Sequence, residues 1–379
     1  MAVIQQLNNA FVEVENGLIK NYGYMSDFHP NEKKIIDVNQ QWVMPGFVDS
    51  HTHMVFAHSR HNEYVMRLQG KTYEDIAAAG GGILNSAKQL ANMSEDELFN
   101  LAKINLNQAM LTGTTAIEIK SGYGLSVDAE LKMLRVIKRL KNEFEIEIKS
   151  TFLGAHAFPL EYKQNQQGYI DLIKNEMLPQ IAAEELADFI DVFCDKGFYS
   201  VEQTQEILDE AKKYNLIAKL HGNELGLTGG VQVAVKNNAL SVDHLEHVSE
   251  VEIHCLLQSQ TMPVILPGSS FFLKIPYAPA RQMIDAGLPL AVASDFNPGS
   301  SPHYNLWFTW SLACLYNLML PSEVFNALTI NAAYALNLSK THGSITMGKK
   351  ACLQVIPEFK DINEIPYWFA QNHSKQVFY

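Results

Sequence analysis

The chain of 379 residues has little of what a disulfide-stapled, membrane-spanning or nucleic-acid-binding protein is built from. Its four cysteines, Cys194, Cys255, Cys314 and Cys352, are scattered and form no Cys-x-x-Cys pair. Four isolated thiols in a chain of this size fit a reducing cytoplasm better than a disulfide framework. No apolar run approaches the roughly 18 residues that a membrane helix requires. Met1–Lys20 lacks a basic segment followed by a continuous apolar stretch, so no signal peptide is expected. Basic residues are outnumbered, 29 Lys+Arg against 41 Asp+Glu, for a formal charge of −12, which weighs against nucleic acid or an anionic membrane as the main partner. No Gly-x-Gly-x-x-Gly follows the first predicted strand, and Gly80-Gly81-Gly82 is not followed by Gly-Lys-Ser/Thr. The glycine run therefore reads as a flexible lid loop rather than a phosphate cradle. Charged residues are only 18% of the chain while apolar residues reach 47%. A chain this long buries about 75% of its unfolded surface, enough for one large domain with a smaller appendage. The expectation is a soluble, acidic, cytoplasmic globular protein.

From Trp42 onward the chain repeats one local grammar: a short apolar, often β-branched run, a polar or glycine-containing segment, then a helical stretch. The pattern predicts strands at Trp42–Asp49, Thr114–Ile119, Glu147–Leu153, Asp188–Phe193, Leu216–Leu220, Ala239–Val242, Pro263–Leu266 and Leu288–Ala293. Continuous rather than alternating apolar runs point to parallel strands covered on both faces. Ser94-Glu95-Asp96-Glu97 and Ser200-Val201-Glu202-Gln203 read as capping boxes, the second opening a helix through Lys213. Eight such units predict an α/β fold, a (β/α)8 TIM-like barrel, with a doubly wound open sheet ranked behind it. The ends look like short strands with turns at Asn16-Gly17, His29-Pro30 and Met347-Gly348. Neither end has apolar residues for its own core, so residues 1–43 and 343–379 are expected to pair into one small β-sandwich domain beside a barrel of residues 44–342.

In a barrel of this kind the chemistry sits at the C-terminal ends of the strands. The predicted strand ends carry His51 and His53, then Glu118, Lys120 and Tyr123, then His156, then His221 with Glu224, then Asp243, His244 and Glu246, and finally Asp295 with Asn297, Gly299 and Ser300. His51 and His53 are two apart, so an extended strand projects both to one face. With His221 and Asp295 they form a three-histidine, one-carboxylate set suited to Zn or Fe rather than Mg or Ca. Glu224 lies three residues past a candidate ligand and reads as a general acid/base, against the plainer reading of a solvated loop carboxylate. His244 sits between Asp243 and Glu246, either of which can set its tautomer. Lys120 reads two ways: carboxylated and bridging two metals, or paired with Asp295 or a neighbouring acid. Four ligands already favour one metal. His247, His254, His342 and His373 carry no functional signal, and His58, His61 and His303 are undecided.

Several runs resemble a known family. Pro45-Gly46-Phe47-Val48-Asp49-Ser50-His51-Thr52-His53 is similar to the first-strand signature of the amidohydrolase superfamily. Glu118-Ile119-Lys120-Ser121-Gly122-Tyr123-Gly124-Leu125, Phe152-Leu153-Gly154-Ala155-His156-Ala157 and Asp295-Phe296-Asn297-Pro298-Gly299-Ser300-Ser301-Pro302 resemble the imidazolonepropionase family within it. The resemblance implies that His51, His53, His221 and Asp295 hold one Zn or Fe ion per chain. It implies that Arg60, Tyr123, His156, Glu224, Asn297, Gly299 and Ser300 contact the substrate, 4-imidazolone-5-propanoate, or its ring-opened product N-formimidoyl-L-glutamate. Catalysis would rest on Glu224, Asp295 and His244, the last stabilising the oxyanion, and Arg60 would grip the propionate as a bidentate fork. A homodimer is also implied. Two alternatives stay open: a heterocycle deaminase, since His221-x-x-Glu224 occurs there too, and a non-catalytic scaffold that has lost its metal.

Overall fold

Turn chemistry shapes the first strands. β1 (Ala10–Glu15) and β2 (Leu18–Tyr24) form an antiparallel hairpin. Its turn is Asn16-Gly17, with φ of 53° and 76°. Those signs are the ones that a two-residue turn matched to strand twist demands. The structure, a computed structural model, describes all residues except Ala2, Pro30–Lys33, Tyr73, Glu74, Ala77 and Ala78. The turn expected at His29-Pro30 thus lies partly outside the described residues.

The run predicted as one strand over Trp42–Asp49 is two. β3 (Trp42–Pro45) and β4 (Phe47–Asp49) belong to different sheets, and the chain changes sheet at Gly46. The Gly46 N–H reaches the Cys352 carbonyl (2.9 Å) while the Phe47 N–H reaches that of Gly113 (2.9 Å). A Cβ at position 46 would lie 2.2 Å from Thr115 Cγ2. Gly46→Ala is therefore expected to destabilise the fold by about 1–3 kcal/mol through overpacking. An unchanged denaturation midpoint would contradict this account of the crossing.

Eight parallel strands then run in sequence order: β4, β5 (Thr114–Lys120), β6 (Glu147–Ala155), β7 (Phe189–Cys194), β8 (Ile217–Gly222), β9 (Ser241–His244), β10 (Met262–Ile265) and β11 (Ala291–Val292). They are buried almost throughout, as strands covered by helices must be. The ring closes between β11 and β4 through residues just beyond both. Ser294 donates from N and Oγ to the Asp49 carboxylate (3.0 and 2.6 Å), the Asp295 N–H to the His51 carbonyl (3.1 Å), and the His53 N–H to the Phe296 carbonyl (2.9 Å). The barrel seam thus holds His51, His53 and Asp295 side by side.

Helices cover the outside. α1 (His61–Leu68) and α2 (Ile83–Asn92) follow the first strand; α3 (Glu95–Leu111) and α4 (Val127–Glu143) flank β5. Both expected capping boxes form, Ser94 with Glu97 and Ser200 with Gln203. The second opens an α-helix that ends at Ala211 and tightens into a 3-10 turn over Lys212–Tyr214. The helix Ile330–Ala335 packs beneath the barrel, where the Lys219 ammonium donates to the Ala335 carbonyl (3.2 Å). β12 (Leu353–Ile356) pairs with β3 and with β13 (Gln376–Phe378), and the β1–β2 hairpin joins them at Ile19 N–H to Lys349 O and Ala351 N–H to Gly17 O (2.8 Å each). Both chain ends thus build one small β domain beside the barrel.

Candidate active site

Strand alternation aims two layers of polar side chains into the barrel. Glu118 and Lys120 on β5, Asp191 on β7, Lys219 and His221 on β8, and Ser241 and Asp243 on β9 all meet inside, and all are buried. Residues two apart on a strand share a face, which is why β5, β8 and β9 each supply a pair.

Four atoms converge at the top of this stack. His53 Nε2 lies 3.2 Å from His51 Nε2 and 3.3 Å from His221 Nε2, and Asp295 Oδ1 lies 3.6 Å from His51 Nε2 and 3.7 Å from His53 Nε2. A tetrahedral ion with ligand bonds of about 2.0–2.1 Å has ligand–ligand edges of about 3.3–3.4 Å. The donor chemistry fits as well. Asp243 Oδ2 lies 2.7 Å from His51 Nδ1 and Asp191 Oδ2 2.9 Å from His221 Nδ1. The ring protons of both histidines therefore sit on Nδ1, and their Nε2 atoms present lone pairs. Burial, with the Lys120 charge next, holds the His51 imidazole well below its usual pKa. Burial likewise brings His221 to about 4, the nearby Asp191 opposing it. Neutral rings with facing lone pairs are what a cation resolves. His51, His53 and His221 are brought together as the sequence predicts.

The remaining predicted residues frame this cluster. Asn223, with φ of 58°, turns the chain after β8 and exchanges bonds with His247, its amide donating to the His247 carbonyl (3.0 Å). That turn raises Glu224 to 3.6 Å from His244 Nε2. Glu246 approaches the other nitrogen of His244, Nδ1, at 3.5 Å. Burial disfavours a charged His244, but the Glu224 and Glu246 carboxylates outweigh it and raise its pKa. Burial raises Glu224 above the usual carboxylate range, His244 partly opposing. Asp243, the other expected partner of His244, turns instead to His51, because neighbouring residues at a strand end face opposite ways.

Tyr123 and His156 stand against His53, the His156 ring stacked on it at 5.3 Å. The Gly122 carbonyl lies 3.0 Å from His156 Nδ1 and accepts its proton, so Nε2 is left as an acceptor. Burial, followed by the His221 charge, lowers His156 to about 3. Arg60 faces Gly299 so closely that a Cβ there would lie 2.3 Å from Nη1. Its Nε and Nη2 donate to Glu63 (2.9 and 2.5 Å), so that edge of the fork is already taken. Glu63 also accepts the Gly82 N–H (3.0 Å), tying the glycine loop to Arg60.

Asp295 has φ of 52°, a left-handed conformation unusual outside glycine. The turn after it enforces this. The Asn297 amide donates to the Asp295 carbonyl and to Ser300 Oγ (2.7 Å each), and its oxygen accepts the Gly299 and Ser300 N–H groups (2.7 and 2.8 Å). Ser300 Oγ in turn reaches Asp295 Oδ2 (3.2 Å). Asn297, Gly299 and Ser300 thus spend these donors on each other and on Asp295. Burial brings the Asp295 carboxyl up to about 6, His244 opposing.

Sequence reasoning missed Asp191, Glu63 and Lys219, and the partnership of Asp243 with His51. The signal for Asp191 was present: one acid inside the apolar run Phe189-Ile190-Asp191-Val192-Phe193. Lys120 pairs with Asp191 (2.7 Å) and Glu118 (3.0 Å), the neighbouring acids, and not with Asp295.

An eight-stranded parallel barrel with three imidazoles and a carboxylate at its C-terminal rim defines a metal-dependent hydrolase, and the model of the amidohydrolase family matches residues 42–377. The chain is 51% identical over 380 residues to the imidazolonepropionase of Flavobacterium psychrophilum and 52% identical over 379 residues to that of Flavobacterium johnsoniae, in each case covering 100% of this chain and 92% of the relative. It belongs to the imidazolonepropionase family of amidohydrolases. Among solved structures, 5-methylcytosine deaminase from Klebsiella pneumoniae shares the fold, with a TM-score of 0.78 at 15% identity over 99% of this chain and 93% of that one.

Proposed function

We propose that the chain hydrolyses 4-imidazolone-5-propanoate to N-formimidoyl-L-glutamate, a ring opening in histidine degradation. The observation that carries this reading is the convergence of His51, His53, His221 and Asp295 beside Glu224 and His244, on a chain half identical to imidazolonepropionases over its whole length. One Zn or Fe ion per chain, held by those four residues, would act as a Lewis acid and bring the pKa of a water from about 15.7 to around 7.

The other steps fall to side chains. The water oxygen bonds to the ring carbonyl carbon, the bond from that carbon to the adjacent ring nitrogen breaks, and the carbonyl becomes a carboxyl group that releases its own proton to solvent as a carboxylate. Glu224, with Asp295 beside it, takes the water proton and hands it to the departing nitrogen. Its burial suits it, because a carboxyl raised above its usual range both accepts and returns a proton near neutrality. His244, held cationic by two carboxylates, faces the carbonyl oxygen as charge builds there. Tyr123 and His156 wall the ring, and the Asn297–Ser300 turn closes the site around Asp295.

Arg60, whose guanidinium also binds Glu63, meets the propionate carboxylate. Loss of a charge-assisted hydrogen bond costs about 1.5–3 kcal/mol. Arg60→Ala is therefore expected to raise KM by roughly 10–100-fold with a smaller effect on kcat. An unchanged KM would remove Arg60 from the substrate. The reaction itself is tested by incubating the protein with 4-imidazolone-5-propanoate, cytosine and guanine in turn. Ring opening of the first without ammonia is the expected result; ammonia from any of them would make the chain a deaminase.

A further inference from the structure

We infer that Lys120 is a positioning residue of the metal centre: its buried ammonium ties together the two aspartates that aim His51 and His221, and fills the place where a second cation would be drawn. This rests on the functional reading above, which gives those imidazoles a metal to hold.

The geometry is specific at the level of single oxygens. Lys120 Nζ lies 2.7 Å from Asp191 Oδ2, the same oxygen that accepts His221 Nδ1–H at 2.9 Å. It lies 3.5 Å from Asp243 Oδ2, the same oxygen that accepts His51 Nδ1–H at 2.7 Å. Each oxygen is thus pinned between an imidazole N–H and one shared cation. The second oxygens are held too: Asp191 Oδ1 accepts the His221 N–H (2.9 Å) and Asp243 Oδ1 the Ser241 hydroxyl (2.5 Å). Below, Glu118 carries Lys120 on Oε1 and Lys219 on Oε2, 3.0 Å each. Three carboxylates against two ammoniums leave one negative charge beneath the imidazoles, which complements a cation above them.

The same cluster explains why one ion suffices. His51, Glu118 and Asp243 offer ligand atoms within 4.8 Å of one another, a set able to draw a second cation. Lys120 stands within 3.5 Å of both carboxylates and supplies that charge itself. Carboxylation of Lys120 would instead add a fourth negative group to a buried cluster of three, at heavy cost.

The test compares the wild-type protein with Lys120→Met, each folded and stripped of metal, by Zn2+ affinity in chelator competition and by the thermal midpoint of the metal-free chain. Partners beyond the ligands typically govern affinity by about 10–100-fold, and a loss of that size is expected. A lysine with a merely structural role would lower the midpoint and leave the affinity of the folded protein within about twofold of wild type, which overturns the inference. Should Lys120→Met not fold, Lys120→Gln keeps an N–H donor in similar volume and is read by the same two outcomes. The wild-type chain supplies a check that needs no variant. Native mass spectrometry with excess Zn2+ and bicarbonate is expected to show one ion and no carbon dioxide adduct; a second ion or an adduct overturns the inference. A wild-type chain that binds no metal would defeat the functional reading first, and this inference with it.

Discussion

Glu224→Gln is expected to lower kcat by roughly 10²–10⁴-fold, the usual worth of a positioned acid/base, while leaving metal content and fold unchanged. The substitution keeps the shape and the hydrogen-bonding length of the side chain and removes its charge and its capacity to carry a proton. Glu224 is three residues past the proposed ligand His221, held up by the Asn223 turn, and its one charged neighbour within ion-pair distance among the described residues is His244 at 3.6 Å. Among the described residues nothing else at the rim combines that position with a carboxyl raised by burial and outside the proposed ligand set. His244 responds as well, since one of the two carboxylates that hold its charge is gone, so the loss includes part of the oxyanion stabilisation. Near-normal turnover in a metal-loaded variant would show that the proton travels another way. Metal content, measured on the same sample, separates this result from a collapsed site.

His221→Ala is expected to abolish turnover, a loss of several kcal/mol in barrier or on the order of 10³-fold and more, together with bound metal. His221 supplies one of three imidazoles, and its Nδ1–H is the only one that reaches Asp191 among the described residues. Removing the ring also leaves the buried Asp191 with only Lys120 and the backbone N–H of residue 221, so stability falls too. The metal-free wild-type chain is the control: it is expected to lose activity without the mutation and to regain it on adding Zn or Fe. Full activity in metal-free His221→Ala would remove the imidazole cluster from the chemistry.

How much of this is legible without coordinates depends on the range of the interaction. Strands buried on both faces announce themselves as continuous apolar runs, and all eight appear in the structure within a few residues of their predicted places. His51 and His53 follow from strand alternation over two residues. His221 and Asp295 needed only the rule that such barrels work at the ends of their strands. What stayed hidden lies across the barrel. Asp243 belongs to His51, 192 positions away, and looked like a partner of the adjacent His244. Glu63 accepts from both Arg60 and the Gly82 N–H, which changes Arg60 from an open fork to one with an edge already filled. Gly46 marks a change of sheet inside a run that reads as one strand, because only the close approach of Thr115 shows that no side chain fits there. The Asn297 turn reads as a row of donors until each is traced to a partner within the turn itself.

The most direct test of the account is to titrate Zn2+, and separately Fe2+, into the metal-free wild-type chain while following the opening of 4-imidazolone-5-propanoate. Activity is predicted to rise from nothing in proportion to bound metal and to stop at one ion per chain, with N-formimidoyl-L-glutamate as the product. Activity in the stripped protein, or a rise that continues to two ions per chain, would contradict it.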